Sequence, residues 1–149
     1  HVLDNPALVG GKRVLDFAAG SGLVAIAAAK AGAQSVLAAD TDPFCADAVR
    51  LNALENGVAV DFTAQDLVGV KGGWDMVLAG DVFYDRAFAD RLVPWFAALR
   101  AEGADILVGD PGRAYLPKTG LVALATYEVP VTRALEDAEV KKTTVWRLA

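Results

Sequence analysis

The stretch Val14-Leu-Asp16-Phe-Ala18-Ala-Gly20-Ser-Gly22, running straight into Leu23-Val-Ala-Ile-Ala-Ala-Ala-Lys-Ala-Gly32, constrains this chain more than any other segment. It reads as a buried strand, a tight glycine turn and an alanine-rich helix in immediate succession. Glycine at 20 and 22 lets the backbone turn sharply and approach a ligand with no Cβ in the way. The helix that follows presents unpaired N–H groups at its start, which suits a nucleotide-type cofactor. A second strand, Ser35 to Ala39, is closed by Asp40 and Asp42. The strand-helix-strand unit therefore ends in a carboxylate where a ribose would lie.

Two cofactors compete for such a unit, and they differ in charge. Gly20-Ser-Gly22-Leu-Val-Ala25 fits the alanine-ended dinucleotide fingerprint, with Asp40 about 20 residues downstream as that fingerprint expects. By this pattern NAD is open. Asp16 argues the other way, since a carboxylate at the end of the first strand would face a pyrophosphate with like charge. S-adenosylmethionine instead brings an ammonium group and a sulfonium, which the carboxylate would meet with opposite charge. The plainer alternative makes Asp16 a hydrogen-bond acceptor that orders an ordinary turn.

With 149 residues and 54% hydrophobic content, the chain is the length of one domain, taken as residues 1–149, and can bury a substantial core. Its net charge of −5 offers no basic patch, so nucleic acid is not expected as a partner. Cys45 is the single cysteine, which excludes a disulfide framework and points to a reducing, cytoplasmic setting. No apolar run of about 18 residues suggests a membrane span. The single histidine, His1, leaves neither a Ser-His-Asp nucleophile nor a zinc site easy to build, and no metal is expected.

Taken in order, Val2 to Val9 is a lead-in ending at Gly10-Gly11, before the strand Arg13 to Phe17. The first helix spans Leu23 to Ala31 and stops at Gly32. Asp42-Pro43 opens a second helix, Pro43 to Glu55, which ends at Asn56-Gly57. Val58 to Thr63 reads as a third strand, with Gln65-Asp66-Leu67 beyond its end. Asp66 there could accept from an adenine amino group or simply cap a turn. The apolar run Trp74 to Ala79 is a fourth, buried strand that delivers Gly80-Asp81-Val-Phe-Tyr84-Asp85 to the same edge.

Phe88, Leu92, Trp95, Phe96 and Leu99 recur at helical spacing and predict a core-facing helix from Arg86 to Glu102. Ile106 to Val108 is a fifth strand, followed by the loop Gly109-Asp110-Pro111-Gly112-Arg113. Thr119 to Ala125 reads as a short helix broken by Gly120, or as an undefined segment. Two final strands, around Ala125 to Val131 and Thr143 to Leu148, flank the charged run Glu136 to Lys142, expected as a solvated turn. The alternation predicts an α/β fold: a doubly wound, mostly parallel Rossmann-like sheet with a C-terminal antiparallel strand pair. Ligands of such sheets gather at the strand C-termini, where Asp16, Asp40, Asp66 and Asp81 all fall.

These residues resemble a class I, seven-stranded S-adenosylmethionine-dependent methyltransferase, with Asp16 to Gly22 as the first motif and Asp40 as the ribose-binding acid. The resemblance covers nearly the whole chain. It implies cofactor contacts at Asp16, Ala18, Gly20, Gly22, Asp40, Thr41, Asp66, Leu67 and Gly80, with Ala18 standing where the family usually has glycine. Asp81-Val-Phe-Tyr84 resembles the Asp-x-x-Tyr signature of the seven-strand protein lysine methyltransferases. Leu78 to Asp90, Val108-Gly-Asp-Pro-Gly-Arg113 and Thr143-Thr-Val-Trp146 look like the lysine methyltransferases of the electron transfer flavoprotein β subunit. The family's Asn/Asp-Pro-Pro-Tyr motif for amides and base amines is absent. Its N-terminal segment, with a tryptophan that helps enclose the cofactor, has no counterpart before Val14, and the domain is expected to lack it.

The resemblance implies that Asp81 positions an incoming lysine amine, with Tyr84 as channel wall or second acceptor. Asp110 and Arg113 would order the substrate loop through a local ion pair. The opposing assignment makes Asp81 a cofactor contact and Tyr84 packing. A small-molecule amine N-methyltransferase, a methyltransferase of a ribosomal protein, an NAD-dependent oxidoreductase and a non-catalytic binding module stand as the other functional classes. Oligomeric state and target lysine are not legible in the sequence.

Overall fold

Strands with no polar face need cover on both sides, and the apolar runs of this chain form the centre of a single sheet. The computed structural model describes residues 1–130 and 140–149. After one 3-10 turn at Pro6–Leu8, the elements are β1 (Arg13–Phe17), α1 (Leu23–Lys30), β2 (Ser35–Ala39), α2 (Cys45–Glu55), β3 (Asp61–Thr63) and β4 (Met76–Gly80), then α3 (Arg86–Ala101), β5 (Asp105–Asp110), β6 (Leu121–Pro130) and β7 (Val140–Leu148). Among the described residues the strands make one seven-stranded sheet ordered β3-β2-β1-β4-β5-β7-β6. The first five strands are parallel, and β7 runs antiparallel to both β5 and β6. This is the predicted doubly wound sheet with its terminal antiparallel pair.

Side-chain alternation divides the core between the two faces of the sheet. Leu15, Phe17, Val77, Ala79, Ile106 and Val108 pack with Leu92, Trp95, Phe96 and Leu99 of α3. Val14, Val36, Ala38, Met76, Leu78 and Leu107 pack on the other side, with Ala25 and Ala28 of α1 and Val49 of α2. The alanines bring α1 close to the sheet. Gly22 matters to the same packing: a Cβ there would meet Val49 Cγ2 at 3.0 Å, and its φ of 79° is left-handed. Asp16 alternates onto this α1 face, a consequence that decides its role below.

Several expected boundaries move, each for a local reason. The third strand begins at Asp61 instead of Val58, because the Val58 N–H is taken by Ala53 O at the end of α2. The fourth begins at Met76, since the Asp75 carboxylate turns to pair with Arg13 in a fork of 3.1 and 3.0 Å. The second helix starts at Cys45, and Asp42 accepts from Phe44 N–H in a turn before it. The fifth strand extends over Asp105–Asp110. The segment Thr119–Ala125 is not a helix: Gly120, with φ 75°, ends a loop and Leu121 begins β6, which pairs with β7 throughout and carries an irregularity between Ala123 and Ala125. Val131 and residues 136–139 of the charged run lie outside the described residues, while Val140, Lys141 and Lys142 belong to β7. Among the described residues no helix is long and apolar enough to cross a membrane.

Leu92 is fully buried at the centre of the α3 contact. Leu92→Ala is expected to lower unfolding free energy by roughly 2–5 kcal/mol in urea denaturation, because the cavity cannot be refilled by the flanking aromatics.

Candidate active site

The turn between β1 and α1 is held from below by two carboxylates. Asp16, 2% exposed on the α1 face of the sheet, accepts from Ala25 N–H at 2.7 Å. Asp40, at the end of β2, accepts from Gly20 N–H at 2.9 Å through one oxygen and from Asp42 N–H at 3.0 Å through the other. The loop-ordering role weighed for Asp16 is therefore what its geometry shows. Gly20 has φ 52°, and a Cβ on it would meet nothing within 4 Å, so the bare backbone faces open space. Ala18 takes a left-handed φ of 58° despite its Cβ. Among the described non-glycine residues only Asp81, with φ 55°, shares that conformation. Both stand just beyond the C-terminal ends of the adjacent strands β1 and β4, a strain of the kind stored at functional edges.

Beside this turn lies a cleft of about 280 Å³. It brings together Ala18, Asp40, Thr41, Asp66, Leu67 and Tyr84 from the sequence-predicted set, with Phe17, Ala39, Gln65, Phe88 and Arg91 beside them. Phe88, expected in the core, both packs against it and lines this cleft. Tyr84 is 62% exposed, and its ring lies 6.3 Å from that of Phe88, which stacks in turn on Phe17 at 6.2 Å. Arg91 was not legible in the sequence; its Nη2 donates to Asp66 Oδ2 at 2.6 Å across a separation of 25 residues. Asp66 also accepts from Val68 N–H, and the arginine bond chiefly holds its carboxyl below the ordinary range.

The remaining predicted residues lie elsewhere along the edge. Gly80 lines a second, apolar cleft of about 380 Å³ on the α1 side, with Leu23, Leu78, Leu107, Gly109 and Val145. Asp81 forms a fork with Arg113, whose Nε and Nη2 donate to its two oxygens at 2.6 and 2.7 Å. The expected ion pair within the loop is thus made to Asp81 rather than to Asp110. Asp110, 1% exposed, uses one oxygen to accept from the N–H groups of Gly112 and Arg113, both at 2.7 Å. Asp85 caps α3 by accepting from Phe88 N–H. Among the described residues no cation pairs with Asp16 or Asp40, whereas Asp66 and Asp81 each have an arginine. The loop end of the site therefore carries negative charge with no paired cation among the described residues, in full only above the pH at which Asp16 ionises. Burial, with a smaller push from Asp40, raises the Asp16 carboxyl to about 7 against the pull of the Ala25 N–H.

Comparison with known proteins gives three findings. Residues 2–83 match the family described as ribosomal protein L11 methyltransferase (PrmA). The electron transfer flavoprotein β subunit lysine methyltransferases of Xenopus laevis and Danio rerio are 41% and 36% identical, over 97% and 99% of this chain. The chain spans 62% and 60% of those proteins, about three fifths of their length. Among solved structures, magnesium protoporphyrin IX methyltransferase from Synechocystis PCC 6803 with bound SAH superposes with a TM-score of 0.69 at 20% identity, over 99% of this chain and 76% of that one. That likeness shows the fold.

The Asp16 carboxyl makes the native state bind a proton that the unfolded chain releases near pH 4. A raised pKa of this kind favours the fold fully below that value, and the benefit is lost as pH climbs to about 7. Urea denaturation of wild type and Asp16→Asn over this range is expected to show the variant gaining a few kcal/mol relative to wild type as pH rises. A gap that does not change with pH would show that Asp16 titrates normally.

Proposed function

Because this chain belongs to the ribosomal protein L11 methyltransferase (PrmA) family, whose fold is that of the class I methyltransferases, we propose that it is an S-adenosylmethionine-dependent protein N-lysine methyltransferase. The observation that carries this reading is the negatively charged glycine turn beside the 280 Å³ cleft. The residues present suit the cofactor. Asp16 and Asp40 offer the charge that an ammonium and a sulfonium need, and a pyrophosphate would meet that same charge as repulsion. Phe17, Leu67 and Phe88 offer an apolar surface for an adenine, and Gly20 leaves room for a close approach. In this assignment Asp40 with Thr41 takes the ribose, Asp66 the adenine side, and Ala18, Gly22 and Gly80 shape the backbone around it.

The cofactor supplies a methyl group on a cationic sulfur, ready for direct displacement. The protein's own work is to align an amine, exclude water and see that the amine arrives without its extra proton. Lysine ordinarily ionises near pH 10.4, and only its neutral form has a lone pair. Asp81, on a strained backbone beyond β4, accepts a hydrogen bond from the amine, and Tyr84 on the Phe88 ring walls the approach. The acceptor protein we favour is the electron transfer flavoprotein β subunit, on the names of the relatives and the Gly109-Asp-Pro-Gly-Arg113 loop. The family description favours a ribosomal protein as the second acceptor to test. The lone Cys45 supports a reducing, cytoplasmic setting.

Intact-mass spectrometry of the flavoprotein after incubation with enzyme and S-adenosylmethionine is expected to show methyl additions on its β subunit. In Asp81→Ala, transfer should fall by about 100-fold or more with cofactor affinity within about threefold of wild type. Loss of cofactor binding alone would make Asp81 a cofactor contact. Additions on ribosomal protein L11 with none on the flavoprotein would transfer the assignment to that substrate. Cofactor affinity should also rise as pH passes about 7, where Asp16 ionises, and Asp16→Asn should abolish that rise; a wild-type affinity flat across this range would remove the charge argument.

A further inference from the structure

We propose that Arg113 is a positioning residue for methyl transfer: its fork on Asp81 offsets that carboxylate's charge, so that a bound lysine is held by a hydrogen bond without being held as an ammonium. The inference rests on the lysine methyltransferase reading and deepens it. A bare carboxylate is a poor partner for an amine that must be neutral, because it stabilises the charged form and raises the amine's pKa. A guanidinium at 2.6 and 2.7 Å from the same two oxygens reverses that effect, since it cancels the carboxylate's field and repels an incoming ammonium. Each carboxylate oxygen has a second lone pair, so the fork leaves Asp81 able to accept from an amine.

The construction around the pair is specific. Asp81 N–H donates to Gly109 O at 2.8 Å, which locks the β4 end to the β5 end. Asp110, buried beyond Gly109, grips the Gly112 and Arg113 N–H groups, and among the described residues its second oxygen has no hydrogen-bond partner. The arginine therefore leaves a backbone fixed by one carboxylate and reaches another. Its side chain and that of Asp81 are 40% and 44% exposed, so the pair stands where a substrate can reach it. Among the described residues, other charged and titratable groups at this end of the sheet include Asp110 on β5, Tyr84 and Asp85 in the turn after β4, Arg86 opening α3, Asp16 on β1, and Lys142 on β7, two residues from the Thr144 that pairs with Asp110. His1 lines the apolar cleft beside Gly80 and Gly109. Among the described residues Arg113 pairs with Asp81, while Arg86 lies within 4.0 Å of Asp90.

In the proposed transfer the amine lone pair would form the new N–C bond, the S–C bond would break with its electrons passing to sulfur, and the surplus proton would pass from the product nitrogen to water. Only the amine's protonation before that event is assigned to Arg113. The test is the pH dependence of kcat at saturating flavoprotein β subunit and S-adenosylmethionine, for wild type, Arg113→Gln and Arg113→Lys, since kcat reports ionisations in the bound complex. Arg113→Gln should move the rising limb to higher pH by about one unit or more, with activity largely recovered on the alkaline side. Arg113→Lys, which keeps the charge but not the fork, should keep the wild-type limb at a lower plateau. A limb unmoved in Arg113→Gln, or moved equally in both variants, would overturn the role. So would equal loss at every pH in both variants with S-adenosylhomocysteine still bound, the mark of a structural part. Absence of transfer by the wild-type protein to either the flavoprotein β subunit or ribosomal protein L11 would instead remove the lysine methyltransferase reading.

Discussion

The turn between β1 and α1 depends on two carboxylates that pair with no cation among the described residues. Asp16 reaches Ala25 N–H from beneath and Asp40 reaches Gly20 N–H from the neighbouring strand. The loop's shape is thus fixed by hydrogen bonds from backbone amides to acids, which is the stronger class of such bonds. The same bonds concentrate negative charge where a ligand would sit. Burial resists this and pushes the Asp16 carboxyl up to about 7. A cationic ligand would relieve it, so in the proposed reading the acids that order the turn also select its ligand.

The strand ends on either side of this centre are organised in the opposite sense. Asp66 and Asp81 are matched by Arg91 and Arg113, and the polar network is closed by backbone donors from Val68, Gly112 and Arg113. In the strand order β3-β2-β1-β4, acids with no cation among the described residues stand at the central β1 and β2 ends, and an arginine-paired acid stands on either side of them at β3 and β4. In the proposed assignment the centre suits a positive donor, and the β4 side suits an amine that must arrive neutral. Tyr84, Phe88 and Phe17 run between them as an aromatic wall anchored through Trp95 to the α3 core.

Much of the fold was legible because it rests on local patterns. The bounds of β1 and β2 follow directly from apolar runs flanked by glycine and aspartate, and α3 from the spacing of Phe88, Leu92, Trp95, Phe96 and Leu99. The start of β6 was not legible, since Leu121 to Ala125 has no polar alternation and its alanines suit a helix. What makes it a strand is pairing with the far end of the next strand, β7, where Leu121 faces Leu148. The site divides the same way. Asp40, Asp66 and Asp81 announce themselves at strand ends, whereas Arg91, 25 residues from Asp66, carries no motif, and Arg113 is marked by its loop motif but not as the partner of Asp81, 32 residues away. Asp16 was legible as an important acid, but its face of the sheet, and hence its bond to α1, came from packing.

The central claim is that the acid-clasped turn binds S-adenosylmethionine. It is tested most directly by calorimetric titration of S-adenosylhomocysteine and of NAD into wild type and Asp40→Asn. The account predicts that the homocysteine nucleoside binds wild type with micromolar affinity, loses about tenfold or more in Asp40→Asn, and that NAD gives no heat. NAD binding with no response to S-adenosylhomocysteine would contradict it.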